Sequence, residues 1–504
     1  MKKLLILVLT LVGIVSLAAC GKGKDDKPAK TTPSVTTPNA TTPNATTPSV
    51  TTPNVEPAGD ELVIWVGSES ATFYQGVMSE YVKQYKNEHG VDFPGKISVK
   101  GVDTGSAAAL FLADTEAGPD IFTIAHDNFG KLLDGEGAIG SIDDEALIEQ
   151  MEENNSNAFL NACYLSAGDG SAAQYYGVPV ISQALVLYYN KSAFEGQEDK
   201  LATWEGILEV AQAKNSLATS FMGTDGYNYS AFLLAQPKSD DAIAAFGKQG
   251  TLQIYQNGIQ ENCYNWGDDQ VAIWKWAQDF ICNPNGRNGV LTSNDGWETE
   301  LQNGNALTLI GGAWSKGGVI ASLKADNWGV TQLPSFTLTA DHAYGQATAG
   351  MEFWTGTFAD CKCLVKNKNS KYASYLDDIL LYLSSNEVQE MSFIECDNLP
   401  ASKNASVETD DELQTALAAA QVASGAHGIA QPFGFKTKYN SYYYSAGAPD
   451  LYIALSQNSD NAYTTDAQIV EVLQQASYIW RYGKARDLVN ELDKWNTWIK
   501  GPAA

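Results

Sequence analysis

The sequence predicts an α/β fold built on a largely parallel sheet. Short apolar runs rich in β-formers alternate with stretches of helical periodicity, and Gly and Pro fall at the breaks between them. The chain has 504 residues, 44% of them hydrophobic, so it can bury more than one sizeable core.

The first sixty residues stand apart from that pattern. Lys2 and Lys3 precede an apolar stretch, Leu4 to Leu17, with the length of a signal-peptide h-region and too short to span a bilayer. It ends Leu17-Ala-Ala-Cys20, followed by Gly21, and resembles the lipobox of bacterial lipoproteins. That resemblance implies cleavage before Cys20 and lipid on its thiol, with an ordinary signal peptide as the alternative. No later run of 18 apolar residues occurs, so no other span is predicted. Residues 21–58 form a linker, and Thr31 to Val55 is five Thr-Thr-Pro-x-x pentads. Proline fixes φ and removes backbone donors, and little apolar surface is available to bury, so this segment is an extended spacer. At ~3.1 Å per residue it reaches roughly 120 Å.

The α/β pattern begins with Glu61 to Val66 (ELVIWV), a strand. Phe73, Val77, Tyr81 and Tyr85 then recur every four residues, placing one apolar face on a helix. Ile97 to Val102 alternates like a strand, Ala107 to Leu112 is helical, and Gly118-Pro119 breaks the chain before a strand at Asp120 to Ile124. Ligands of such sheets sit on the loops beyond the strand ends.

The formal net charge of −27 disfavours nucleic acid and anionic membrane surfaces as partners. Only three arginines occur, Arg287, Arg481 and Arg486. Sites for anionic ligands favour the guanidinium fork, so the balance shifts toward a neutral ligand. Twelve Trp and 24 Tyr supply rings that fill cores in the main, with some left to stack on the apolar faces of sugars. Beyond Cys20 the cysteines are Cys163, Cys263, Cys282, Cys361, Cys363 and Cys396. Export permits disulfides, but connectivity is not legible from spacing. Cys361-x-Cys363 lacks the second pair of a zinc site, so no metal is assigned.

Leu62-Val-Ile-Trp65, Gly118-Pro-Asp-Ile121, Ala125-His-Asp127 and Phe129-Gly130 occur in that order. Tyr176-Gly-Val-Pro-Val180, Gln183-Ala-Leu185, Tyr189-Asn-Lys191, Ile310-Gly-Gly-Ala-Trp314 and Leu333-Pro-Ser-Phe336 follow. Together they resemble the extracellular solute-binding proteins of bacterial sugar importers, in particular the maltose- and maltodextrin-binding proteins, over roughly residues 60–400. The resemblance implies a two-lobed periplasmic-binding-protein type II fold with hinge crossovers and a ligand cleft. It places one lobe at 59–182 with 334–396 and the other at 183–333 with 397–504, with crossovers at 176–191 and 333–336.

The resemblance also implies the site. Asp127 matches the family's sugar-binding aspartate, with a helix N-cap as the structural alternative. Glu69 matches an acid after the first strand, and Gln183 stands where the family has a glutamate. Trp314, in its glycine-flanked turn, is a stacking platform rather than a core residue. Tyr227, Tyr229 and Trp354 are further contacts. The aromatic loop from Pro432 to Tyr444 adds Tyr442 and Tyr443, since consecutive residues cannot all face the core. His126 reads as structural. Ile124 replaces a stacking tryptophan and Asn128 an arginine, so the glycan geometry differs from that of the type member.

The function implied is a monomeric lipoprotein, tethered through Cys20 to the outer face of a Gram-positive-type membrane. It captures maltooligosaccharides for the permease subunits of an ABC importer and uses no cofactor. Gly-x-Ser-x-Gly, His-Glu-x-x-His and P-loop motifs are absent from the sequence. A glycoside hydrolase needs only two carboxylates among the 59 acids, so an enzyme remains an alternative, as do a binder of another neutral oligosaccharide and a surface adhesin.

Overall fold

The computed structural model describes residues 61–133, 137–165, 172–221, 227–228, 230–246, 254–256, 262–264, 270–283, 285, 297–324, 326–428, 465–470 and 473. All belong to one compact unit, residues 56–504. The anchor cysteine Cys20, the 21–58 linker, Tyr229 and the 432–444 loop with Tyr442 and Tyr443 lie outside the described residues.

In chain order the first elements are β1 (Glu61–Val66), α1 (Ala71–His89), β2 (Lys96–Gly101), α2 (Ala107–Ala113) and β3 (Ile121–Ala125). These match the predicted elements to within about a residue or two. Leu62, Ile64 and Val66 point to one face of β1 and are buried there, the alternation its sequence shows. α1 buries Val77, Tyr81 and Tyr85 as its spacing requires, together with Tyr74 and Met78, while Phe73 is only partly buried. Gly90 ends the helix in the left-handed region, at φ 72°, and its N–H caps Lys86 O.

The chain continues through α3 (Asn157–Cys163), β4 (Val178–Gln183), β5 (Val186–Asn190), α4 (Trp204–Lys214), β6 (Leu217–Phe221) and β7 (Gln236–Pro237). Then come α5 (Gln270–Cys282), β8 (Ala306–Gly311), α6 (Lys316–Leu323), β9 (Trp328–Thr331), β10 (Ser335–Thr337), β11 (Glu352–Trp354) and β12 (Asp360–Lys366). α7 (Ala373–Leu383), α8 (Asn386–Cys396) and α9 (Glu412–Gly425) follow.

Two main sheets organise these elements. The first has the order β2-β1-β3-β12-β4, and the second β9-β5-β8-β6. The sheets are largely parallel, as expected, with one antiparallel strand in each. β1 runs parallel to β2 and β3, but β12 lies antiparallel between β3 and β4, and β5 is antiparallel to both of its neighbours. β12 returns to the first sheet after the whole of the second, and so long-range a pairing leaves no local periodicity in the sequence.

Each sheet has its own core. Leu62, Ile64, Tyr81, Val178, Leu364 and Ile379 pack around the first. Leu187, Trp204, Phe232, Trp276, Ile310, Phe336 and Phe353 pack on the second. The chain crosses between them at Ala184 and Leu185, where β4 becomes β5. It returns through 355–359, and Leu185 N–H donates to Thr357 Oγ1 across the two crossings (2.8 Å). It leaves again after α8. There Ser182 N–H donates to Leu399 O (2.7 Å), and α9 buries Leu417 and Ala420 beside Val186, Tyr188 and Trp328.

The structure moves the expected second crossover. Leu333-Pro-Ser-Phe336 does not lead back to the first sheet, because β10 and β11 pair antiparallel and Leu333, Phe336 and Phe353 stay in the second core. Residues 334–354 therefore pack with the second sheet, and the first sheet resumes only at β12.

Candidate ligand-binding site

The crossings bring strand ends from both layers together. Gln183, the last residue of β4, lies directly opposite Asp360, the first of β12. Asp360 is buried, and Tyr227 Oη donates to its Oδ2 at 2.9 Å. Its Oδ1 lies 3.8 Å from His126 Nδ1. The Tyr227 ring packs 5.0 Å from Phe358 and edge-on to Trp314 at 5.9 Å. One carboxylate thus lies between a turn of the first layer and the Tyr227 ring of the second.

Asp127 sits in the 3₁₀ turn His126–Asn128 that follows β3. Asp127 lies inside the turn, whose N-cap position is held by Ala125. The carboxylate is more buried than its loop position suggests: only 7% of the residue is exposed, and Asn128 Nδ2 donates to its Oδ1 at 2.9 Å. Burial lowers the pKa of nearby Lys131, and the Asp127 charge opposes that shift.

Trp314 is 49% exposed, far too open for a core tryptophan. Its ring lies directly over Gly312, where a Cβ would come within 2.3 Å of ring carbons, so glycine is required for this ring position. Tyr188 Oη donates to Gly312 O at 2.9 Å and fixes the turn from below.

Glu69 is exposed, on the Ser68–Ser70 turn after β1. Burial lowers the pKa of Lys362 on β12, and the charges of Glu69 and Asp103 oppose it, which brings this acid to the same end of the first sheet. Trp354 is placed differently. Its half-buried ring stacks on His427 at 4.4 Å and lies 4.7 Å from Lys238 Nζ, and no described contact joins it to Tyr227 or Trp314.

Sequence reasoning missed Asp360 and Lys362. The available signal was a single acid ahead of Cys-Lys-Cys-Leu-Val, at the start of a β-forming run. It also treated Cys361 and Cys363 as an isolated pair, whereas the fold brings Cys163 to them. Cys163 Sγ is 3.3 Å from Cys363 Sγ, and Cys361 Sγ is 3.6 Å from Cys363 Sγ. All three are buried, and the His126 imidazole hydrogen-bonds the Cys361 thiol. Burial raises the Cys163 pKa, but hydrogen bonds from Cys361 and Cys363 outweigh it and bring it down to about 6. Burial lowers His126, yet the Cys361 hydrogen bond and the neighbouring Asp360 and Asp127 charges raise it to about 10.

The family described as bacterial extracellular solute-binding protein matches residues 80–421. A maltooligosaccharide ABC transporter solute-binding lipoprotein of Streptococcus pneumoniae is 24% identical over 424 residues, 83% of this chain and 85% of that protein. A maltodextrin-binding protein from L. casei, solved without ligand, superposes with a TM-score of 0.61 at 16% identity, covering 83% of this chain and 99% of that one. An extracellular solute-binding protein from Staphylococcus aureus, solved with maltose, gives 0.57 at 17% identity, covering 88% and 99%. The fold is therefore the two-lobed α/β architecture of these binding proteins. Because the family match spans well over half of the chain and takes in all three crossings between the sheets, this chain belongs to the bacterial extracellular solute-binding proteins.

Proposed function

We propose that this protein is a lipid-anchored solute-binding component of an ABC importer that captures maltooligosaccharides at the cell surface and performs no chemistry on them. The observation that carries the reading is the half-exposed Trp314 ring beside the Tyr227–Asp360 pair. An indole face suits the C–H face of a glucose unit, and the buried carboxylates Asp127 and Asp360 suit hydroxyls in a cleft that closes over them. The pneumococcal relatives carry the same ligand class in their names. Asp127, Glu69, Gln183, Tyr227 and Trp314 form the proposed contacts, with Tyr229, Trp354, Tyr442 and Tyr443 as further candidates. Hinge crossings between two lobes let the ligand stabilise the closed form.

Calorimetric titration with maltotriose to maltoheptaose tests this. The expected affinity is about micromolar, near −8 kcal/mol, with the sugar recovered intact after long incubation. Heat only with β-linked or charged glycans overturns the ligand assignment, and release of reducing ends overturns the reading as a binding protein.

A further inference from the structure

The three buried thiols behind the cleft take no part in the proposed glycan contacts. Cys361 and Cys363 lie two apart on β12, with a register shift between Lys362 and Cys363, and Cys163 is the last residue of α3. Their three sulfur atoms lie within 4.8 Å of one another. The β3–β12 pairing sets Lys362 opposite Ala125, which carries His126, the next residue, to the side of Cys361. A zinc ion with Zn–S bonds of ~2.3 Å holds tetrahedral sulfurs ~3.8 Å apart. The observed 3.3 and 3.6 Å separations are close to that edge. A disulfide would use two of the three sulfurs at ~2.05 Å and leave the third without a role.

We propose that Cys163, Cys361 and Cys363 form a buried structural site for a thiophilic divalent cation, Zn²⁺, with His126 beside Cys361 at its edge. Asp360, 3.8 Å from His126 Nδ1, is the carboxylate that orients the imidazole. On binding, each thiol releases its proton to solvent, the ion gives up three of its waters, and three Zn–S bonds form with no change of oxidation state. The site ties α3 to the sheet through β12 and ties β12 to the turn that carries Asp127. It therefore stiffens the wall from which the glycan contacts project.

The test uses the exported protein, reduced and stripped of metal under anaerobic conditions, then titrated with Co²⁺ and with Zn²⁺. One equivalent of Co²⁺ should bind with a thiolate-to-metal charge-transfer band, and Zn²⁺ should displace it and raise the melting temperature. Cys163→Ser and Cys363→Ser should lose the band while their circular-dichroism spectra stay native. Asp360→Asn should weaken the metal about 10–100-fold without abolishing it. The wild-type titration decides the matter even where a variant misfolds: a fully reduced protein that binds no stoichiometric metal overturns the proposal. Undiminished binding by both serine variants also overturns it, by placing the metal on other cysteines. So does a mapped Cys163–Cys363 disulfide whose reduced form takes up no cation.

Discussion

At the scale of single residues, truncating the exposed tryptophan or the buried aspartate should weaken binding and spare the fold. Trp314 is half-exposed, so Trp314→Ala should leave the melting temperature of the free protein nearly unchanged. It should weaken glycan binding by about 1 kcal/mol beyond the lost contact area, and calorimetry read beside a thermal melt checks both. A large fall in melting temperature with normal affinity would return the residue to a structural role. Asp127→Ala should cost about 1.5–3 kcal/mol of binding, the range for a hydrogen bond to a charged group. The fold should survive that change, because Asn128 Nδ2 keeps its bond to Ala125 O at 3.0 Å. These two positions were legible as a motif in the sequence. Asp360 was not, because its importance comes from Tyr227, 133 residues away in the chain.

At the scale of elements, two backbone positions carry sharp expectations. Gly312→Ala puts a methyl where the Trp314 ring now lies, so the ring must leave its place over the β8–α6 turn. Its affinity loss should match that of Trp314→Ala, with tryptophan fluorescence reporting the displaced ring; unchanged affinity would show that the turn does not position the platform. Lys324, which ends α6, has φ 67° and ψ 158°, a region that suits only glycine. Lys324→Gly should stabilise the protein by about 1 kcal/mol, after the extra entropy glycine brings to the unfolded chain, as a thermal melt would show. The elements themselves followed from the sequence where one face repeats, as in α1 and β1. The direction of β12 did not, since antiparallel insertion depends on where the chain comes from and not on which residues it holds.

At the scale of the whole molecule, the proposed leader and spacer precede the two-lobed binding fold. The lipobox predicts that Cys20→Ala sheds the protein into the medium or leaves it unprocessed, and that it takes up no labelled lipid precursor, whereas the wild type does. Equal labelling of both would refute the anchor. Tyr227–Asp360 and the 2.6 Å Lys316–Asp397 ion pair join elements of the two layers. Family membership, the α/β class, the first five elements, and Asp127 and Trp314 as candidates are all carried by the sequence itself. Local periodicity and ordered motifs are properties of neighbouring residues, and the chain displays them whether or not it is folded. The tertiary structure alone decided the true return crossing at 355–359, the pairing of Asp360 with Tyr227, and the meeting of Cys163 with Cys361 and Cys363. Each joins segments more than a hundred residues apart, and loop closure over such distances is set by the packing of whole layers, which no window of sequence records.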